Sequence, residues 1–517
     1  MKASTLIVCV GGLLFAALLN LHFAAAAEAV QTGEGPVRGT TENEVTSYLG
    51  IPFAAAPVGD LRWRAPRAHS PWRAVLHADH YGSDCIQNGD PRPTSEDCLY
   101  LNIWVPEHPS VRKGEHLGQL PVMVFIHGGG FNSGSGAEPW YRGASLARRG
   151  VVLVTFNYRL GKLGFFALPA LARENPAGPL GNYQVMDQIA ALEWVKRNIA
   201  RFGGDPDNVT LFGESSGGTS VTILMASPAA RGLFQKAIVE SGVRKFRMET
   251  LAEAEADGKS AAAGWGVRDN DAAALRGVPA AVVLGKARLG FGGAGPMIDG
   301  AIIRENPLAA FRDGHVPRIP LILGTNSDEA GDFPGLVHGL SKRLSSVWPK
   351  VLTLYDGYGT HETPMIEAEL LTDILTAGPT RMVAREAARD GLPTYLYQFD
   401  FLRPSERGRY PGPIHTDELY AVFGTMNVAE QPVTADMRRI TDEVQSRWVE
   451  FERTGRPTAD SSAWPATGSR DDEVLVFTQD GPPVVRRNLR KDRIDFANTL
   501  PLPTALTRRT AGHTGNR

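Results

Sequence analysis

The stretch Leu211-Phe212-Gly213-Glu214-Ser215-Ser216-Gly217-Gly218 limits the fold more than any other part of this chain. It reads as a short apolar strand, a Gly-x-Ser-x-Gly turn and the start of a helix. A sharp strand-to-helix elbow needs glycine on both sides of the turn, because the backbone there is too crowded for a Cβ, and it lifts the serine hydroxyl clear of the sheet. Ser215 is therefore a candidate nucleophile. Other apolar runs, such as Val151-Val152-Leu153-Val154 and Ala237-Ile238-Val239, are short and continuous, as expected of parallel strands buried on both faces. Between them Ile189, Leu192, Val195, Ile199 and Phe202 recur at three- and four-residue spacing, and Gly203-Gly204 ends the helix they predict. The alternation predicts an α/β fold.

A nucleophile needs donors for the oxyanion it creates. Pro121-Val122-Met123-Val124-Phe125-Ile126 has strand length and runs into His127-Gly128-Gly129-Gly130-Phe131. Successive glycines after a buried strand leave backbone N–H groups unshielded, as a developing alkoxide requires. The expected oxyanion hole is the N–H groups of Gly129, Gly130 and Ser216.

With these motifs the chain resembles the type-B carboxylesterases, the family of cholinesterases and fungal lipases, over about residues 33–477. Tyr48-Leu49-Gly50-Ile51-Pro52-Phe53, Pro57-Val58-Gly59 and Leu61-Arg62-Trp63 look like the family's N-terminal block. Glu96-Asp97-Cys98-Leu99-Tyr100-Leu101-Asn102-Ile103 looks like its second signature. Asn157-Tyr158-Arg159-Leu160-Gly161, Asp187-Gln188 and Phe202-Gly203-Gly204-Asp205-Pro206 follow in family order. The resemblance implies an α/β-hydrolase fold, with a large, mostly parallel central sheet flanked by helices, and a Ser-Glu-His triad that needs neither metal nor organic cofactor.

The triad's other members are then sought by local match. Gly324-Thr325-Asn326-Ser327-Asp328-Glu329-Ala330-Gly331 resembles the family's acid turn and makes Glu329 the acid, with Asp328 the weaker candidate because Ala330 stands where the family usually has Gly. Of the twelve histidines, His415 in Gly412-Pro413-Ile414-His415-Thr416-Asp417-Glu418-Leu419-Tyr420 matches the family's catalytic block. The order Ser215, Glu329, His415 is the order of nucleophile, acid and base in such folds. Ser241, before Gly242, matches a serine that hydrogen-bonds near the acid.

Length alone would permit about three domains. No linker or repeat divides the chain, however, and residues 30–500 read as a single catalytic domain ahead of a polar tail at 501–517. Met1-Lys2, an apolar stretch at residues 6–21 and Ala25-Ala26-Ala27-Glu28-Ala29 read as a signal peptide of residues 1–27, with cleavage after Ala27 or Ala29. A retained anchor is the alternative, and Asn20 and His22 speak against it. The expected location is secreted or periplasmic, with no stable membrane insertion after processing. A net charge of −2 argues against binding nucleic acid. The partner expected is a small-molecule ester; oligomeric state is not legible.

In an oxidising compartment Cys85 and Cys98 stand where the family makes a disulfide. The intervening residues 86–97 are short and polar where fungal lipases carry a longer apolar flap. An esterase for soluble carboxylic esters is thus favoured over a lipase, and a non-catalytic adhesion protein, known in the family, is the remaining alternative. Val243-Arg244-Lys245-Phe246-Arg247 departs from the family, whose chain is commonly neutral or aromatic there, close to the acyl side of the pocket. It reads either as a solvated turn or, if Arg244 or a neighbour points inward, as a contact for an acyl carboxylate. The latter would imply a polycarboxylic ester such as the tricarballylate esters of fumonisin-type toxins.

Overall fold

The structure, a computed structural model, describes residues 25–107, 119–174, 178, 180–285, 294–357, 359–458 and 463–501. Most of the expected signal peptide and nearly all of the expected tail lie outside these residues.

Among the described residues twelve strands form one mixed sheet: β1 (Ala25–Ala26), β2 (Thr40–Glu42), β3 (Val45–Pro52), β4 (Tyr100–Pro106), β5 (Leu120–Ile126), β6 (Val152–Phe156), β7 (Gly204–Glu214), β8 (Lys236–Glu240), β9 (Leu321–Asn326), β10 (Thr394–Phe399), β11 (Glu473–Phe477) and β12 (Val484–Arg487). Their order is β1-β2-β3-β4-β6-β5-β7-β8-β9-β10-β11-β12. From β6 to β11 every pairing is parallel. The strands outside this block pair antiparallel, a direction that an apolar run by itself does not encode. Ala25 and Ala26 pair with Thr41 and Thr40, so a strand lies on the N-terminal side of both expected cleavage points.

The period of two along each central strand separates two cores. Val122, Val124 and Ile126 of β5, with Val209 and Leu211 of β7, face one core; Met123, Phe125 and Phe212 face the other. Helices α1 (Tyr183–Asn198) and α2 (Ser216–Ala226) cover the first face. The expected stripe at 189–202 is present, though its last turn, Ile199–Phe202, tightens to a 3-10 helix before Gly203 closes it at φ 79°. Helix α3 (Leu251–Gly264) is capped by Thr250, whose side chain accepts from the Glu253 N–H. Helix α4 (Ala435–Thr454) packs Met437, Ile440, Val444 and Trp448 into the second face. Burial on both faces explains why the central strands are apolar throughout, and the crevice at the carboxyl ends of parallel strands is where such sheets place ligands.

Candidate active site

β7 ends at Glu214 and α2 begins at Ser216, so Ser215 alone makes the turn, at φ 56° and ψ −123°. Few non-glycine residues adopt this conformation, and it costs strain that the packing must hold. The flanking glycines hold it by close approach. A Cβ on Gly217 would lie 2.0 Å from the Ile126 carbonyl oxygen, and one on Gly213 2.7 Å from the Gly217 carbonyl carbon. The expectation for Gly-x-Ser-x-Gly is therefore met for the stated reason.

Next to it, Ser215 Oγ lies 2.8 Å from His415 Nε2, and His415 Nδ1 lies 2.6 Å from Glu329 Oε2. Glu329 lies three residues beyond the end of β9 and is 2% exposed. Burial pushes its pKa up, but His415 and the donors Ser241 Oγ and the Asn326 N–H on Oε1 outweigh that and hold it below the usual value. Asp328 points elsewhere. Burial and the charge of Glu329 raise its pKa to about 7. Ala330 fits the turn without a positive φ and is buried, so the glycine usual at that position is not needed here. Ser241, at φ 50°, follows β8 as Ser215 follows β7.

The glycine loop after β5 lies over the nucleophile. A Cβ on Gly128 would meet Glu214 Oε2 at 2.8 Å and Ser215 Cβ at 3.1 Å. Gly129 has φ 105° and Gly130 φ 61°, and both are exposed at the mouth. The loop is tied down from below: the Phe131 N–H donates to Ser216 Oγ at 3.3 Å, and Gly161 donates to the Phe131 carbonyl at 2.8 Å. His127 is buried and stacks on Tyr158 with ring centroids 4.1 Å apart, and burial lowers its pKa to about 4.

Some of the site escaped the sequence. Glu214, the variable position of the elbow motif, is 1% exposed with Oε1 3.2 Å from His415 Nε2. Burial, then the charges of Glu418 and Glu329, raise its pKa far above the usual carboxylate range. Glu418, one turn beyond His415, is raised likewise and accepts from Asn326 Nδ2 at 2.6 Å. An acidic residue closing an apolar strand was the available signal for Glu214; nothing local marked Glu418. Of the three cations at 244–247, Arg244 alone turns inward, with Nη2 3.2 Å from His415 Nε2 and 3.5 Å from Ser215 Oγ. Lys245 instead holds the Asn498 and Leu500 carbonyls, and Arg247 pairs with Glu253 at the surface.

The profile of the Carboxylesterase family matches residues 26–352 and 356–497. The chain belongs to that family. The para-nitrobenzyl esterase of Bacillus subtilis (strain 168) is 37% identical over 490 residues, covering 87% of this chain and 94% of that protein. The fumonisin B1 esterase of Sphingopyxis macrogoltabida is 35% identical over 479 residues, with 86% and 85% covered. A solved PNB esterase structure superposes with a TM-score of 0.78 at 34% identity, over 90% of this chain and 99% of that one. The fold is that of the α/β-hydrolase carboxylesterases, and the protein is a carboxylic ester hydrolase. Cys85 and Cys98 are disulfide-bonded, with Cα atoms 4.9 Å apart. Among the described residues no helix is long and apolar enough to cross a membrane.

Proposed function

We propose that this carboxylesterase cleaves soluble carboxylic esters through an acyl-enzyme on Ser215, with His415 as base and Glu329 as its acid partner. The observation that carries the reading is the unbroken chain Ser215 Oγ, His415 Nε2, His415 Nδ1, Glu329 Oε2 at 2.8 and 2.6 Å. As Oγ attacks the ester carbonyl, His415 takes its proton, and the Glu329 carboxylate stabilises the imidazolium. The tetrahedral oxyanion faces the N–H groups of Gly129, Gly130 and Ser216. His415 then protonates the departing alcohol, and water attacks the acyl-enzyme by the same route. Ser241 holds Glu329 in register.

The loop at 86–97 supports an esterase rather than an interfacially activated lipase. It is short, and Arg92 ties it to Asp84 and to Glu138, the latter at 3.0 Å, while the disulfide closes its base. A flap so anchored is not built to swing open at a lipid surface. The same disulfide supports export to an oxidising compartment. Esters of polycarboxylic acids are a narrower second reading, favoured by Arg244 reaching into the site and by a relative named for fumonisin B1.

Replacing Ser215 with Ala tests the first reading. The purified variant should keep the fold, seen by circular dichroism, and lose p-nitrophenyl ester hydrolysis by several orders of magnitude. Retention of more than about a hundredth of the rate would put the nucleophile elsewhere.

A further inference from the structure

Gly129 and Gly130 have no side chains to fix them, and both are exposed. Their N–H groups can meet a developing oxyanion at about 2.7–3.1 Å only if the loop that carries them is held in place beforehand. Part of that hold is internal. The Gly129 carbonyl accepts the N–H groups of Asn132 and Ser133, each at 3.1 Å, and Asn132 Nδ2 donates to the Gly130 carbonyl at 2.6 Å. At the far end Gly134 has φ 100°, and a Cβ on it would lie 2.5 Å from the Gly128 carbonyl oxygen. Residues 128 and 134 therefore meet at the neck of a closed loop, and the seat of Gly134 decides where the N–H groups of Gly129 and Gly130 point.

The side chain of Gln87 provides that seat from the disulfide loop. Its Oε1 accepts the Gly134 N–H at 2.7 Å, and its Nε2 donates to the Gly134 carbonyl at 3.0 Å. One primary amide thus takes both backbone groups of one residue, as the opposite residue of an antiparallel strand would, and it can do so because it carries a donor and an acceptor side by side. Gln87 is itself constrained. Nε2 also donates to the carbonyl of Cys85, which is bonded to Cys98. On the other side of Cys85, the buried Asp84 carboxylate accepts from the hydroxyl of Ser135, the residue after Gly134.

We propose that Gln87 is a positioning residue for the oxyanion hole: by pairing with both backbone groups of Gly134 it holds the glycine loop with the Gly129 and Gly130 N–H groups directed at the reacting carbonyl. This deepens the acyl-enzyme reading above and rests on it. Preorganised donors matter most once negative charge has developed on the oxygen, so a loosened loop costs the transition state more than the bound ester, and the loss falls on kcat rather than KM.

Gln87→Met, which keeps length but not the amide, and Gln87→Ala are compared with wild type and with Asn88→Ala. Asn88 is the next residue of the same loop; it is exposed and donates to the Gly285 carbonyl, away from the glycine loop. On p-nitrophenyl acetate both Gln87 variants should lose about ten- to a hundredfold in kcat, with KM changed less than about threefold. An alkyl trifluoromethyl ketone, to which Ser215 Oγ adds as His415 takes its proton, leaves a tetrahedral alkoxide in the same hole. It should bind the Gln87 variants more weakly by about the factor lost in kcat/KM. A role confined to folding would instead lower the number of sites titrated by diethyl p-nitrophenyl phosphate and leave the ketone's affinity at the remaining sites unchanged. Asn88→Ala should match wild type on every measure. Unchanged kcat per titrated site, an unchanged ketone affinity beside a fallen kcat, equal losses in Asn88→Ala, or failure of both Gln87 variants to fold overturns the proposal. A wild type that the ketone does not inhibit, or a Ser215→Ala variant of unimpaired rate, overturns the acyl-enzyme reading and the role of Gln87 with it.

Discussion

Two adjacent buried acids, Asp328 and Glu329, show how far environment decides chemistry at the scale of a residue. Both are at most 5% exposed. Glu329 receives donors from His415, Ser241 and the Asn326 backbone and is held ionised. Asp328 has its pKa raised to about 7 by burial and by the negative charge of its neighbour. Only an ionised acid can stabilise the imidazolium, so Glu329→Gln should lower kcat on p-nitrophenyl acetate by roughly a thousandfold or more, the scale of losing a triad acid. Asp328→Asn should stay within about tenfold. Equal losses, or a larger loss at Asp328, would reassign the acid. Glu214, 3.2 Å from Nε2, resembles Asp328 in this: burial and the neighbouring carboxylates raise its pKa.

At the scale of elements, what the sequence made legible was whatever backbone geometry forces onto residue choice. Gly128, Gly213 and Gly217 are required by close approach, and Gly129 and Gly130 sit at positive φ. Placement at the carboxyl ends of β7, β8 and β9 then follows, because the motifs holding Ser215, Ser241 and Glu329 each come directly after an apolar strand. Glu418 and the direction of Arg244 were not legible: both depend on which loops meet above the sheet, which no local pattern encodes. The disulfide was expected by resemblance, and its mechanical role emerges from the fold. Cys85 and Cys98, 13 residues apart, close the base of the loop that Arg92 pins to Asp84 and Glu138. Replacing both cysteines with Ser should cost about 3 kcal/mol in the chain-entropy account. In a chain of this length that appears as a fall of a few degrees in the thermal midpoint. A midpoint unchanged against the oxidised wild type would mean that loop closure contributes nothing.

For the molecule as a whole, the notable cost lies along the carboxyl edge of the sheet, where Glu214, Glu240, Glu329 and Glu418 are all at most 1–2% exposed. Three of the four have pKa values raised by burial; Glu240, which accepts from Trp448 Nε1 at 2.7 Å, titrates at about 8. A raised carboxyl pKa makes the folded state bind more protons than the unfolded chain between the ordinary value near 4.5 and about 8. Stability therefore falls as pH rises through that window, and the two states do not differ below it. Glu329, with its lowered pKa, has the opposite sign: its contribution is complete above the ordinary value and is lost on acidification through the folded one. Glu240→Gln keeps an acceptor for Trp448 and removes the titration. The variant and wild type should melt together near pH 4.5, and the variant should gain steadily up to about pH 8, with about 5 kcal/mol as an upper limit. Thermal melts across that range check it; a gap that stays constant with pH, or one that widens toward acid, would show that Glu240 is ionised in the folded protein.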